Sequence, residues 1–208
     1  PTPQQSSAAS DVYKRQIKNP APKTTPVLDN TDSVHLVHGP GSDAEAICLQ
    51  VSKGYLELGQ TVAWLGSLSP SLARSAIGGL DEDALGNLRV WERGALGIHG
   101  FMPPGNGLLV IHGWCSPIGR ATKGELQYLE EILRMADCRV IVTSLGNQDA
   151  GGGSTQMTAR SRERLEGMGL TTWFLSRSDE GPERVLSSSD SKLRLVRSQD
   201  GFTSIREP

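Results

Sequence analysis

From Val34 onward, short all-apolar runs alternate with stretches whose apolar residues recur every third or fourth position. Val34–Val37 reads as a strand and runs into the turn Gly39-Pro40-Gly41. Asp43–Leu58 is expected to be a helix, with Ala44, Ile47, Cys48, Val51, Tyr55 and Leu58 on one face. Ser42 followed three positions later by Glu45 has the spacing of a capping box, and Gly59 follows as the stop. Thr61–Leu65 is a second expected strand, Pro70–Ile77 a short helix, and Gly107–Ile111 a third strand of the fully buried kind. Thr122 and Glu125 repeat the capping spacing before a stripe of Leu126, Leu129, Ile132, Leu133 and Ala136. Arg139–Thr143 is the fourth clear strand.

Strands without polar alternation, separated by helices, indicate an α/β fold: a mainly parallel sheet flanked by helices on both faces. The pattern changes after Thr143. Gly146–Ser154 reads as a loop centred on Gly151-Gly152-Gly153, and Gln156–Met168 as a short basic helix. Three β-type runs follow, Thr171–Ser176, Lys192–Arg197 and Phe202–Ile205, the last two joined through Asp200-Gly201, a hairpin signal. Antiparallel strands are therefore expected at the C-terminal end. The Ser187-Ser188-Ser189 run between them reads as a solvated loop.

At 208 residues with 37% hydrophobic composition, the chain is long enough for one domain with a packed core. Residues 1–30 differ from the rest. They hold five prolines and no glycine, with a charge of +2 (four Lys and Arg against two Asp), and are expected to be a disordered tail ahead of a domain spanning 31–208. The run from Asp11 to Gln16 also resembles translated adapter sequence, so the tail is left out of the fold reading. No apolar run reaches the length of a membrane span. Three well-separated cysteines, Cys48, Cys115 and Cys138, have no metal spacing, which suits a reducing intracellular compartment. The net charge of −2 rules out a generally basic surface, so any nucleic-acid contact has to come from a local patch.

A strand, a glycine turn and a helix start make an anion-binding device, because free backbone N–H groups and the helix dipole point outward together. That device is spelled here His38-Gly39-Pro40-Gly41-Ser42-Asp43-Ala44-Glu45. The segments around it keep a recognisable order. After the turn come the helix ending in Leu58-Gly59, the strand Thr61–Leu65, and "Gly79-Leu80-Asp81 … Leu85-Gly86-Asn87-Leu88"; then the strand Leu108–Ile111, the helix 123–136 and Val140-Ile141-Val142-Thr143-Ser144. Over roughly 34–206 this order resembles the RecA/RadA recombinase family and its KaiC-like relatives. The resemblance implies a RecA-type P-loop NTPase core, a nucleotide site at Gly39–Glu45, and a single-stranded DNA contact through the Gly-rich loop.

The departures from the family pattern carry as much information. The family's phosphate loop ends Gly-Lys-Thr/Ser, with the lysine on the β- and γ-phosphates and the hydroxyl on Mg²⁺. Laid onto this chain, those positions are Asp43, Ala44 and Glu45. The Mg²⁺-holding acid (Walker B) position is His112, no acid follows the second strand in Gly66–Pro70, and the γ-phosphate-sensing glutamine is Leu145. With all of these roles absent no catalytic residue is assigned, and neither a cofactor nor Mg²⁺-dependent hydrolysis is expected; the resemblance leaves room for weak ATP binding only. Asp43 and Glu45 are expected to satisfy the helix dipole, worth about 0.5–2 kcal/mol, and to repel phosphate.

The first and third strands are expected to be neighbours, bringing His38 beside His112, with Cys115, Asp43 and Glu45 within reach. Such a set would suit a transition metal, but no close-spaced ligand pair supports one, and locally satisfied polar residues are the simpler reading. The tryptophans Trp64, Trp91, Trp114 and Trp173 read as packing residues. The nucleic-acid candidates are Gly151, Gly152 and Gly153 with Arg160, Arg162 and Arg164 behind them. The expected function is a non-hydrolysing accessory protein in DNA recombination or repair that works as a homo- or hetero-oligomer with RecA-like subunits. A structural pseudo-ATPase subunit of a RecA-like ring is the alternative, and an active DNA-dependent ATPase a third reading.

Overall fold

The computed structural model describes residue 28 and residues 32–92, 102–147, 157–178, 183–198 and 201–205. Nine strands form one sheet in the order β3-β2-β4-β5-β1-β6-β7-β8-β9. They are β1 (Val34–His38), β2 (Val62–Leu65), β3 (Leu88–Trp91), β4 (Leu108–Ile111), β5 (Arg139–Leu145), β6 (Thr171–Arg177), β7 (Arg184–Ser187), β8 (Lys192–Ser198) and β9 (Gly201–Ile205). The described helices are α1 (Ala44–Glu57), α2 (Pro70–Ile77), α3 (Glu82–Gly86), α4 (Lys123–Met135) and α5 (Arg162–Glu166). Pairing is parallel from β3 through β6 and antiparallel from β6 to β9. This is the mainly parallel α/β sheet with an antiparallel C-terminal end that the sequence pattern predicts.

Alternating side chains divide the core into two layers. Val34, Leu36, Val62, Trp64, Leu108, Val110 and Ile141 face α1 and α2, and that layer continues through Leu175, Leu186, Leu195 and Phe202. Ala63, Leu65, Leu109, Ile111, Val140 and Val142 face α4 and pack with Trp114 and Leu165. Trp64 is fully buried and Trp114 nearly so. Leu28, on the tail side of the expected boundary, is buried in the first layer, and Arg139 Nη2 donates to its carbonyl.

Local chemistry explains several boundaries. Thr122 and Glu125 form the expected capping box at the start of α4. Gly59 stops α1 with φ +69, its N–H on Leu56 O at 2.9 Å, while Gln60 N–H reaches Tyr55 O at 3.0 Å. Four sequence expectations are corrected. The Ser42–Glu45 capping box does not form: Asp43 is the N-cap, and neither side chain caps α1. The basic helix is one turn, Arg162–Glu166, rather than Gln156–Met168, because Ser161 at φ 52 starts it late and Thr158 is drawn into a bridge with Asn147. Ser187 belongs to β7, not to a loop, since antiparallel pairing with Phe174 outweighs its weak strand propensity. Finally, β1 and β4 are not neighbours; β5 lies between them.

Candidate functional site

All six parallel strands end at one rim, and the turn 39–43 joins β1 to α1 there. This is where open α/β sheets bind ligands. Gly41 and Asp43 are both left-handed, at φ 64 and φ 66. Ser42 is buried between them and donates its hydroxyl to Gly39 O at 2.7 Å, which closes the turn. Gly39 N–H is bonded to Leu175 O at 3.1 Å, which ties the turn to β6.

The two carboxylates predicted to repel phosphate are both engaged within the chain. Asp43 Oδ2 accepts from Arg184 Nη2 of β7 at 2.5 Å, and Arg197 Nη1 of β8 lies 3.7 Å from Oδ1. The Arg184 side chain is only 7% exposed. Such an ion pair is charge-assisted and mostly withdrawn from water, so Asp43 is held in its non-glycine left-handed conformation by its partners. Glu45 Oε1 accepts from the backbone N–H of Ser69, the residue preceding α2, at 2.5 Å. Ala44 is buried.

His112 follows β4 and its Nδ1 lies 3.0 Å from Thr143 Oγ1 of β5; the same hydroxyl accepts from Gly113 N–H at 2.9 Å. The His38 and His112 rings stack, with centroids 6.4 Å apart and planes at 9°. They meet although their strands are not adjacent, by spanning the end of β5. Trp64 borders His112 at 5.7 Å between ring centroids. Burial holds both imidazoles below their usual pKa and so favours their neutral forms, although Glu45 pulls His112 the other way. Behind them on the opposite face of β1, His35 is fully buried, bonded through Nε2 to Ser144 Oγ at 2.8 Å, and burial lowers its pKa to about 4. Among the described residues, no group of three His, Cys, Asp or Glu is placed to hold a metal.

Laid onto the family pattern that the sequence resembles, the residues at this rim do not match those that would hold Mg²⁺–ATP. Buried Ala44 takes the position of the phosphate lysine, and the acid before it, Asp43, is salt-bridged to Arg184. A second carboxylate stands at the Mg²⁺ hydroxyl position but is turned onto Ser69. The imidazole at the Mg²⁺ acid position is bonded to Thr143.

The arginine candidates separate. Arg160 is buried, and its guanidinium donates to Ser116 O and, at 2.6 Å, to Pro117 O. It therefore fastens the loop after β4 to the segment before α5. Arg162 and Arg164 are 45% and 56% exposed; the first pairs with Glu166 at 2.8 Å and lies 5.9 Å over the Phe174 ring, and the second pairs with Glu130. Gly151, Gly152 and Gly153 lie outside the described residues. The sequence reading missed Arg177, Arg184 and Arg197; only the pairing of β6, β7 and β8 brings them to the rim.

This strand order and the placement of the helices define a RecA-like fold. No protein-family model and no curated protein sequence matches the chain. Among solved structures it is similar to the crystal structure of the RadB recombinase, with a TM-score of 0.59 over 85% of this chain and 91% of that one. Identity over that match is 17%, so the likeness is one of fold. No helix among the described residues is long and apolar enough to cross a membrane.

Proposed function

We propose that this protein is a RecA-like accessory factor in DNA recombination or repair that does not hydrolyse ATP. The observation that carries the reading is the turn itself: Ala44, where the resemblance puts the phosphate lysine, is buried and uncharged, and Asp43 before it is fixed by Arg184. Phosphoryl transfer depends on positioned cation and metal, and this rim supplies neither at those positions. The likeness to a recombinase supports the recombination setting, within the cell and in company with RecA-like subunits as a homo- or hetero-oligomer.

Single-stranded DNA is the proposed partner, met by Arg162 and Arg164 together with the Gly-rich loop. Both side chains are exposed, and exchanging a surface carboxylate for a phosphate costs little, because exposed ion pairs are worth about 0–1 kcal/mol. The test is oligonucleotide binding by anisotropy at two salt concentrations, with ATP turnover measured in parallel. Salt-dependent binding that the double variant Arg162→Glu/Arg164→Glu abolishes, with no turnover, supports the reading; turnover above background in the presence of Mg²⁺ overturns it.

A second reading, a structural pseudo-ATPase subunit of a RecA-like ring with no DNA role, is favoured by one observation. Arg160, Arg162 and Arg164 all have partners within the chain. Tight association with a RecA-like partner and no oligonucleotide binding selects it.

A further inference from the structure

Three arginines occupy one row across the antiparallel end of the sheet. Arg177 closes β6, Arg184 opens β7, and the two stand directly opposite each other in the register. Arg197 lies on β8 two residues beyond Leu195, the partner of Arg184. Leu175, Leu186 and Leu195 pack in the core layer on the α1 side. Arg177, Arg184 and Arg197 are each two residues from one of these leucines, so all three share the face of the sheet from which the turn 39–43 rises. Their positions agree with this: Arg177 Nη1 lies 3.9 Å from where a β-carbon on Gly41 would be, and the other two guanidiniums meet Asp43.

Like charges directly opposed on neighbouring strands repel, and the row carries three positive charges. Among the described residues one carboxylate, Asp43, is paired with it. The adjacent Glu183 is taken by Arg194 at 2.5 Å. Counted over the described residues, the row sets three arginines against one carboxylate, and Arg177 and Arg197 are both exposed. Guanidinium forks bind phosphate oxygens bidentately through charge-assisted hydrogen bonds, and a polyphosphate brings enough charge to engage two of them at once.

We infer that Arg177 and Arg197, backed by Arg184, form an anion site beside the glycine turn that takes a small phosphate-bearing molecule without a divalent metal. The site differs from the seat between the turn and His112, which Asp43 and Glu45 close. It is also independent of the proposed DNA contact, whose arginines stand on α5.

Tripolyphosphate is the probe, titrated calorimetrically into the full chain at low salt with EDTA present. Binding is expected, and Arg177→Gln/Arg197→Gln should weaken it by about tenfold to a hundredfold. Arg162→Gln/Arg164→Gln should leave it within about twofold. Because Arg177 has no ion pair among the described residues, the single variant Arg177→Gln keeps the fold and should alone lose several-fold in affinity. Unchanged affinity in the double variant, or no binding by the unaltered chain, overturns the inference. Loss of oligonucleotide binding in Arg177→Gln/Arg197→Gln without any tripolyphosphate binding also overturns it, and assigns the row to nucleic acid. Failure of the α5 arginines to bind DNA leaves these outcomes untouched, so the two proposals fail separately.

Discussion

Asp43 and Arg184 are 141 residues apart in the chain and 2.5 Å apart in the fold. Their pairing reverses the usual arrangement of a phosphate loop: the charge inside the turn is negative, and the cations come from the sheet. Replacing Arg184 with Ala should cost about 2–4 kcal/mol, since it leaves Asp43 with the longer contact to Arg197 alone. Asp43→Lys should cost at least as much by placing a third cation against Arg184 and Arg197, and it should not give ATP hydrolysis, because the resemblance puts the phosphate lysine at Ala44 and leaves the Mg²⁺ positions without their usual residues. Urea titrations and a phosphate-release assay measure both effects; a stable, hydrolysing Asp43→Lys protein would falsify the reading of the rim.

Arg160 should behave unlike its neighbours. Arg160→Ala strands two loop carbonyls and should destabilise by about 2–3 kcal/mol. Arg164→Ala should stay within about 0.5 kcal/mol, because its ion pair is exposed. Equal effects in a thermal-melt comparison would contradict the assignment of Arg160 as the fastener between the two loops.

Gly66 follows β2 with φ +119, and a β-carbon there would come within 2.3 Å of His112 O. Gly66→Ala should therefore cost about 3 kcal/mol or more and displace His112. The displacement can be followed by the imidazole NMR resonances of His112, which should move while those of His35 stay in place.

Stability should fall on acidification. The folded state holds His35 near pKa 4, below the ordinary 6.5, so between those values the unfolded chain binds more protons. Stability is complete above about pH 6.5 and should decline by up to about 3 kcal/mol as pH falls to 4. The double variant His35→Leu/Ser144→Ala removes both ends of the buried hydrogen bond, so it should flatten that slope without stranding a polar group. An unaltered slope between pH 7 and 4.5 would mean that other groups govern it.

Elements with strong local signals were legible in the sequence. Pro70–Ile77 and the Thr122–Glu125 cap stand where spacing placed them, and β4 is apolar because helices cover both of its faces. Strand β3 was not legible: it is four residues long at an edge, with a half-exposed Val90, so it carries little hydrophobic signal. Strand β7 was hidden for a related reason, since Arg184 and Ser187 owe their strand geometry to neighbours distant in sequence. The site was half legible. Local spacing placed residues 39–43 in the turn between β1 and α1 and His112 directly after β4, where the structure has them. Where Asp43 and Glu45 direct their charge depends on Arg184, Arg197 and Ser69, which no local pattern connects to them.

The reversal of strand direction after β6 has a structural consequence. A chain that turns back at the ligand rim starts β7 and finishes β8 there, so the final hairpins deliver their charged ends to the glycine turn. Residues 183–205 are therefore a counterweight to the acid inside the turn. A protein shortened at residue 178 would leave an uncompensated carboxylate on a left-handed backbone, and its N-terminal half would loosen although the cut lies in the C-terminal part.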